Sequence, residues 1–201
     1  MKLGVMGGTF DPVHIGHLIA AEEARVKLAL DTVLFVPAGR PWLKAGCSIT
    51  PAAQRVQMVR LATESNPFFE LSMIEVERPG HSYTVDTMRG LRDRYGSEVE
   101  LFFILGSDSV SGLSQWKEPE EILRLCSLAV MRRADGLLSE QKKSEQLLFD
   151  NRDKIIFVDM PVIGISSSDI RERVRKGLSV HYMVADAVEW YIVEEKLYRC
   201  P

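Results

Sequence analysis

Residues 7–17 have the sequence Gly-Gly-Thr-Phe-Asp-Pro-Val-His-Ile-Gly-His and directly follow a short apolar run, Leu3-Gly4-Val5-Met6. The apolar run favours a buried strand of a parallel sheet, and the paired glycines permit a sharp turn that approaches a ligand closely. The residues after Pro12 favour a helix whose first turn carries His14 and His17 on one face. The stretch therefore predicts a strand, a turn and a helix at the start of an α/β fold.

The same stretch predicts a binding site for a nucleotide. A helix N-terminus presents unpaired N–H groups and the positive end of the helix dipole, and two imidazoles beside it add donors for phosphate oxygens. A lone Gly-Gly pair is usually only a turn, and a lone helical histidine is usually a surface or core residue. Eleven specified residues in a strand–turn–helix context favour the functional interpretation.

A second anion-binding element is predicted near the end of the chain, where residues 165–171 have the sequence Ile-Ser-Ser-Ser-Asp-Ile-Arg. A single serine before a helix is usually an N-cap. Three serines followed one turn later by Arg171 offer hydroxyls, N–H groups and a guanidinium to one anion.

Strand and helix patterns alternate along the chain. Strands are predicted at 3–6, 32–36, 69–76, 99–105, 128–131 and 155–158, and helices at 18–30, 51–65, 84–95, 168–176 and 184–195. Thr50 is the predicted cap of the second helix, 38–49 a loop, and 140–153 a surface helix. The alternation predicts an α/β fold with a doubly wound parallel sheet, in a single domain over 1–201 whose C-terminal helical part is about 166–201. Ligands are expected at the carboxyl ends of the strands, and 99–105 is expected to be central.

Composition narrows the possible functions. With 201 residues, 46% hydrophobic and 26% charged, one compact domain is expected. The net charge of −3 argues against a nonspecific partner that is a nucleic acid or a membrane surface. Cys47, Cys126 and Cys200 lack the spacing of zinc ligands and are odd in number, which fits a cytoplasmic protein without a disulfide framework. No signal peptide and no membrane-spanning stretch is predicted.

The segment Gly7–His17 resembles the signature of the adenylyltransferase superfamily, and the whole chain resembles the bacterial nicotinate-nucleotide adenylyltransferases, with matching pieces as far as Arg171. The resemblance implies a Rossmann-like nucleotidyltransferase fold. The serine element resembles the superfamily's Ser-Ser-Thr-x-x-Arg element, with Ser168 keeping the hydroxyl of the usual threonine. The residues that the resemblance implies for ATP binding are Gly7, Gly8, Thr9, Phe10, His14, Gly16, His17, Gly106, Asp108, Arg132, Ile165, Ser166, Ser167, Ser168 and Arg171.

The loop of residues 36–44 occupies the place of the family's Pro-Pro-His-Lys loop. Lys44 keeps the cationic group, which the resemblance implies neutralises phosphate charge during transfer, although a solvated loop lysine is the alternative. Leu43 in place of histidine and Trp42 in place of proline depart from the family pattern. The implied catalytic residues are therefore His14, His17 and Lys44, and Lys44 is also expected to contact the acceptor substrate.

A further set of residues is implied for the acceptor mononucleotide. The sequence Ser82-Tyr83-Thr84 resembles the family element in which backbone N–H groups and the threonine hydroxyl bind the nicotinate carboxylate; by itself it is a helix cap. Trp116 resembles the tryptophan that stacks on the pyridine ring, or it packs in the core. Asp108 either binds a ribose or caps the next helix.

The implied reaction joins nicotinate mononucleotide to ATP and gives deamido-NAD and pyrophosphate, a step of NAD biosynthesis. Mg²⁺ is expected to bind through the ATP phosphates, with no metal site on the protein, and Asp11 beside Pro12 is expected to fix the turn. One alternative is a related adenylyltransferase that accepts nicotinamide mononucleotide or phosphopantetheine. The other is a nucleotide-binding regulator without turnover. A homo-oligomer remains open.

Overall fold

A six-stranded parallel sheet organises the computed structural model, which describes residues 1–42, 49–110, 112–133 and 151–199. The sheet order is β3-β2-β1-β4-β5-β6, and each neighbouring pair is parallel. The order reverses between β1 and β4, which opens a crevice at the carboxyl ends of the strands. The strands are β1 (Lys2–Gly8), β2 (Thr32–Pro37), β3 (Phe69–Leu71), β4 (Glu100–Gly106), β5 (Ser127–Arg133) and β6 (Ile155–Met160).

Helices cover both faces of this sheet. They are α1 (Ile15–Leu28), α2 (Ala52–Thr63), α3 (Thr84–Tyr95), α4 (Ser107–Val110), α5 (Pro119–Leu125), α6 (Ser167–Arg175) and α7 (Asp186–Glu194). One apolar cluster joins α1, α2, α6 and α7 to the sheet, and a second joins α3, α4 and α5 to the other face. The predicted doubly wound α/β fold is therefore confirmed. The domain boundaries at residues 1 and 201 stay a prediction.

The centre of the sheet is buried on both faces. In β4, the residues from Leu101 to Leu105 are at most 6% exposed, which confirms the central strand expected from its continuous apolar sequence. In β1, Leu3 and Val5 pack in one cluster while Met6 packs in the other. None of the helices in the described ranges combines the length and apolarity needed to cross a bilayer.

The starts of α1 and α2 differ from the predicted ones, whereas α3 has the predicted boundaries. Helix α3 spans the predicted residues and ends at Gly96, whose φ is +83°. Helix α1 begins at Ile15 with His14 as its N-cap, so His14 stands just before the first turn and not within it. Helix α2 has Pro51 as its N-cap. Thr50 is not the cap because the helix begins one residue later than predicted, with the carbonyl of Pro51 accepting the N–H groups of Gln54 and Arg55.

The strand predicted over 69–76 is wrong beyond Leu71, where the ladder with β2 ends. The chain turns there, and two polar residues of the pattern, Ser72 and Glu75, are buried. Glu75 is 8% exposed and accepts a hydrogen bond from the Thr87 hydroxyl of α3 at 2.6 Å. The alternation therefore reflects burial at the edge of the sheet and not strand pairing.

The prediction and the structure differ at two further elements. Helix α5 was not predicted, although Pro119 at its first position and acidic residues in its first turn are ordinary signals of a helix start. The helix predicted over 140–153 lies outside the described residues as far as 150. Beyond that point, Arg152–Lys154 forms a 3₁₀ turn.

Gly39 lies where the loop after β2 crosses the backbone at Glu75. A Cβ atom at position 39 would lie 2.4 Å from the carbonyl oxygen of Glu75, which is closer than any real contact. Only glycine permits this approach without a backbone shift. The crossing brings the loop after β2 against the segment that precedes α3.

We expect Gly39→Ala to lower the free energy of unfolding by about 1–3 kcal/mol, because the backbone must move to admit the methyl group. Gly164→Ala is the control, since an added Cβ there has no atom within 4 Å. Its stability should be unchanged or slightly raised. Urea denaturation of the two variants measures the difference, and equal midpoints would contradict the crossing.

Candidate active site

A cavity of about 490 Å³ opens beside the carboxyl ends of β1 and β4. Gly7 and Gly8 of β1 and Leu105 and Gly106 of β4 line it, together with residues of the loops that follow β1, β2, β4 and β6. This is the place where a doubly wound sheet binds ligands, because the order of strands reverses there.

The cavity brings together most of the predicted site residues. Its walls include Gly7, Gly8, Thr9, His14, Gly16, His17, Ser82, Thr84, Gly106, Asp108, Trp116 and Ile165. Seven predicted residues do not line it: Phe10, Tyr83, Arg132, Ser166, Ser167, Ser168 and Arg171. Lys44, with Leu43, lies outside the described residues.

The two imidazoles at the start of α1 form a stacked pair. The ring centroids of His14 and His17 are 3.7 Å apart, and the ring planes are inclined by 31°. The Nδ1 atom of His17 accepts the backbone N–H of His14 at 3.2 Å. A neutral His17 therefore carries its ring proton on Nε2, where it can be donated to a ligand.

His14 is held uncharged by its surroundings. Its side chain is 8% exposed, and burial lowers its pKa to about 4, so the ring is neutral at pH 7. Its Nδ1 atom is buried and has no hydrogen-bond partner among the residues described. Such an atom costs about 1–3 kcal/mol, which a ligand that binds it would recover. Gly16 makes room for the ring, since a Cβ there would lie 3.0 Å from this nitrogen.

Phe10 supports the imidazole pair from the core. Its φ is +51°, its ring is 2% exposed, and it packs edge-on against His17 at 5.1 Å between centroids.

The predicted site residue Arg132 does not line the cavity. Its guanidinium binds the carboxylate of Asp159 at 2.8 Å and lies over the ring of Phe157, outside the cavity walls.

The three serines at the start of α6 have separate partners. Ser166 caps the helix by accepting the N–H of Asp169 at 3.1 Å. Ser167 donates its hydroxyl to the carbonyl of Pro12 at 2.8 Å, and Ser168 accepts a hydrogen bond from the guanidinium of the following turn at 3.2 Å. Ser167 therefore connects α6 to the loop between β1 and α1.

Arg171 and Asp11 strengthen the same connection. Arg171 donates to the backbone carbonyl of Asp11 at 2.7 Å. The Asp11 carboxylate accepts the Tyr198 hydroxyl at 2.8 Å and the N–H of Thr50 at 3.3 Å. Asp11 is 4% exposed, and its carboxylate connects the turn to Thr50 and Tyr198.

The opposite wall joins the segment before α3 to the loop after β2. The Oγ atom of Ser82 accepts the backbone N–H groups of Gly39 at 2.9 Å and Arg40 at 3.2 Å. Trp42 lines the cavity, with its ring centroid 6.0 Å from that of Tyr83. Trp116 also lines the cavity and packs edge-on against Phe103, so it serves the core as well as the wall.

Trp42 and Glu75 are among the cavity residues that sequence reasoning missed. The sequence identifies Trp42 only as a departure from the family pattern, although a large aromatic side chain in a loop rich in glycine and proline is itself a signal of a binding site. The sequence pattern places Glu75 in a strand. Burial raises the pKa of its carboxyl, an effect that hydrogen bonds from Thr87 and Ser82 partly offset. Within the described ranges, no group of three or more His, Cys, Asp or Glu side chains could hold a metal ion.

Residues 5–173 match the cytidylyltransferase-like family. Together with the Rossmann-like sheet and the histidine pair at the start of α1, this match defines the class of the protein as a nucleotidyltransferase. Curated relatives narrow the class. A "probable nicotinate-nucleotide adenylyltransferase" of Moorella thermoacetica is 45% identical over 98% of this chain and 92% of its own length. One of Dehalococcoides mccartyi is 40% identical over 99% and 98%.

The chain belongs to the nicotinate-nucleotide adenylyltransferase family, because these relatives match it over nearly its whole length. Among solved structures, the Plasmodium falciparum nicotinic acid mononucleotide adenylyltransferase complexed with NaAD superposes with a TM-score of 0.78. That alignment covers 98% of this chain and 97% of the other at 19% identity, and it supports the fold.

The lowered pKa of His14 predicts a loss of stability in mild acid. Its pKa in the folded protein is about 4, whereas its ordinary value is 6.5. Between these values the unfolded chain binds a proton that the folded chain does not, so the free energy of unfolding falls as the pH falls. The slope from His14 alone approaches 1.4 kcal/mol per pH unit, to order of magnitude.

We expect His14→Gln to reduce this slope, and His81→Gln to retain it, because His81 is exposed. Chemical denaturation at a series of pH values from 7.5 to 4.5 measures both slopes. Identical slopes in the wild type and His14→Gln would show that His14 titrates normally.

Proposed function

We propose that this protein transfers the adenylyl group of ATP to nicotinate mononucleotide, giving deamido-NAD and pyrophosphate in NAD biosynthesis. The observation that carries the proposal is the composition of the cavity, with a stacked pair of imidazoles at one wall and Thr84 and Trp116 at another. The first wall suits a phosphate chain, and the second suits a planar ring that bears a carboxylate.

ATP would bind at the start of α1. Its phosphates would accept hydrogen bonds from the imidazoles of His14 and His17, from the N–H groups of the helix start and from Thr9. The buried Nδ1 of His14 would gain a partner through this binding. Ser166, Ser167, Ser168 and Arg171 would complete the site from α6. Lys44 would neutralise phosphate charge.

The proposed transfer needs no general base. An oxygen of the mononucleotide phosphate attacks the α-phosphorus of ATP and forms the new P–O–P bond. The bond from the α-phosphorus to the oxygen that bridges to the β-phosphorus breaks, and pyrophosphate leaves with the electron pair. Because the attacking oxygen is already anionic, catalysis rests on in-line positioning and on stabilisation of the developing charge.

The acceptor would lie at the start of α3. The N–H groups at this helix start and the Thr84 hydroxyl would bind the nicotinate carboxylate, which the positive end of the helix dipole favours. Trp116 would stack on the pyridine ring, and Asp108 would accept hydrogen bonds from a ribose. The Ser82 hydroxyl already accepts two N–H groups of the loop after β2, so it would contribute by holding that loop.

Mg²⁺ would enter with ATP, bound through the phosphates, and would shield their charge. The residues present fit this arrangement better than a site on the protein. The carboxylate of Asp11 is occupied by Tyr198 and Thr50, and that of Glu75 by Thr87.

We also propose a cytoplasmic location, because three cysteines without the spacing of zinc ligands fit a reducing compartment. A homo-oligomer stays an open alternative.

Release of pyrophosphate tests the proposal directly. The purified protein is incubated with ATP and Mg²⁺ together with nicotinate mononucleotide, nicotinamide mononucleotide or phosphopantetheine, one acceptor at a time. We expect the highest kcat/KM with nicotinate mononucleotide. A preference for the nicotinamide compound would remove the role proposed for Thr84. ATP binding without release for any acceptor would indicate a regulator.

The imidazole pair has its own test. We expect His17→Ala to lower kcat by about 10²–10³, because one donor to the charge of the transition state is lost. His81→Ala is the control and should match the wild type, since His81 is exposed. Circular dichroism verifies that both variants fold. Near-normal turnover in folded His17→Ala would contradict the proposed phosphate contact.

A further inference from the structure

Arg55 of α2 is a buried cation that bonds to three separate stretches of backbone. Its side chain is 2% exposed. The guanidinium donates to the carbonyl of Thr9 at 2.7 Å, to that of Ala38 at 2.7 Å and to that of Thr50 at 2.9 Å. Thr9 follows β1 and Ala38 follows β2, and both residues line the cavity. Arg55 thus connects two loops of the cavity without lining the cavity itself.

A second, half-buried donor reaches the first of these loops from the C-terminal end of the described residues. The Tyr198 hydroxyl donates to the Asp11 carboxylate at 2.8 Å. Burial and the negative charge of Asp11 raise the pKa of Tyr198, so the hydroxyl keeps its proton at neutral pH. Thr50 links Arg55 to the same carboxylate, because its carbonyl accepts the Arg55 guanidinium and its N–H donates to Asp11, so the three side chains belong to one hydrogen-bonded network.

We propose that Arg55 and Tyr198 are positioning residues for the adenylyl transfer. They fix the loop of residues 9–13, and Arg55 also fixes its distance from the loop that begins at Ala38. The inference rests on the proposed function, because the first loop would bind ATP and the second, which Ser82 holds against the segment before α3, borders the proposed acceptor site. Neither side chain lines the cavity, so each acts through backbone that does.

Packing alone does not explain this network. Taking a guanidinium and a carboxylate out of water costs free energy, and an apolar side chain of similar volume would fill the same space without that cost. The guanidinium adds hydrogen bonds of fixed direction. Its N–H groups lie in a rigid plane, so three carbonyl groups on three segments are held in one geometry. An in-line displacement requires such a fixed geometry, since a misplacement of about 1 Å can reduce the rate 10²-fold.

The two residues predict different kinetic effects. Tyr198 donates to Asp11 of the loop that would bind ATP and contacts Met58 of α2, whereas the loop at Ala38 is bonded to Arg55. We expect Tyr198→Phe to lower kcat/KM for ATP at least about threefold and to leave the KM for nicotinate mononucleotide unchanged. Arg55 holds both loops. We expect Arg55→Lys, which keeps the charge but cannot reach three carbonyls, to lower kcat about tenfold to hundredfold and to raise the KM of both substrates.

The experiment compares these variants with matched controls. Arg60→Lys changes an exposed arginine of the same helix, and Tyr182→Phe changes a tyrosine that is 79% exposed. Kinetics are measured per folded molecule, below the unfolding temperature of every variant. Backbone hydrogen exchange followed by mass spectrometry should show faster exchange in residues 8–13 for both test variants, in 38–40 for Arg55→Lys alone, and unchanged exchange in β4.

A merely structural role would lower the unfolding temperature and leave activity per folded molecule and loop exchange at wild-type values. That result in both test variants would overturn the inference. If Arg55→Lys does not fold, Tyr198→Phe decides, because it removes a single oxygen atom. If the wild type transfers no adenylate, the proposed function fails, and ATP affinity together with loop exchange still decides whether the network positions the loops.

Discussion

The loop between β1 and α1 can present hydrogen-bond donors to a ligand because its own carbonyl groups already accept hydrogen bonds from other parts of the protein. Carbonyls of residues 9, 11 and 12 accept hydrogen bonds from Arg55, Arg171 and Ser167. These three donors come from α2 and α6, which are far from the loop in sequence. The loop is therefore a product of the whole fold, even though its sequence is the most informative in the chain.

The same arrangement explains how a protein with a net charge of −3 can receive an anionic substrate. Attraction by the overall field is absent, so binding depends on local dipoles and hydrogen bonds. His14 is neutral because burial lowers its pKa, and it faces the cavity beside a helix start. Under the proposed function, a neutral imidazole would bind a phosphate by donating its ring N–H, and burial would strengthen that hydrogen bond.

Local patterns were sufficient where the chain encodes its own structure. The apolar run 99–105 indicated a central strand, and Thr84 to Gly96 marked both ends of α3. They were insufficient where polar residues find distant partners. The pattern 69–76 resembles a strand because Glu70 and Ser72 alternate with apolar residues, but the strand pairing ends at Leu71 and Glu75 bonds to Thr87 of α3. Arg55 carries no local signal, since an arginine within a helix is usually exposed.

By itself, the sequence determined the α/β class, the family, and the stretches that supply the cavity walls. It did so because periodicity, glycine turns and helix starts are local properties. Only the tertiary structure decided which polar groups face the cavity and which hold it in place. Ser167 and Arg171 bond to the first loop, Ser82 bonds to the second, and Arg55 joins the two loops. These roles depend on distances between segments brought together by the sheet, and no spacing along the chain records such distances.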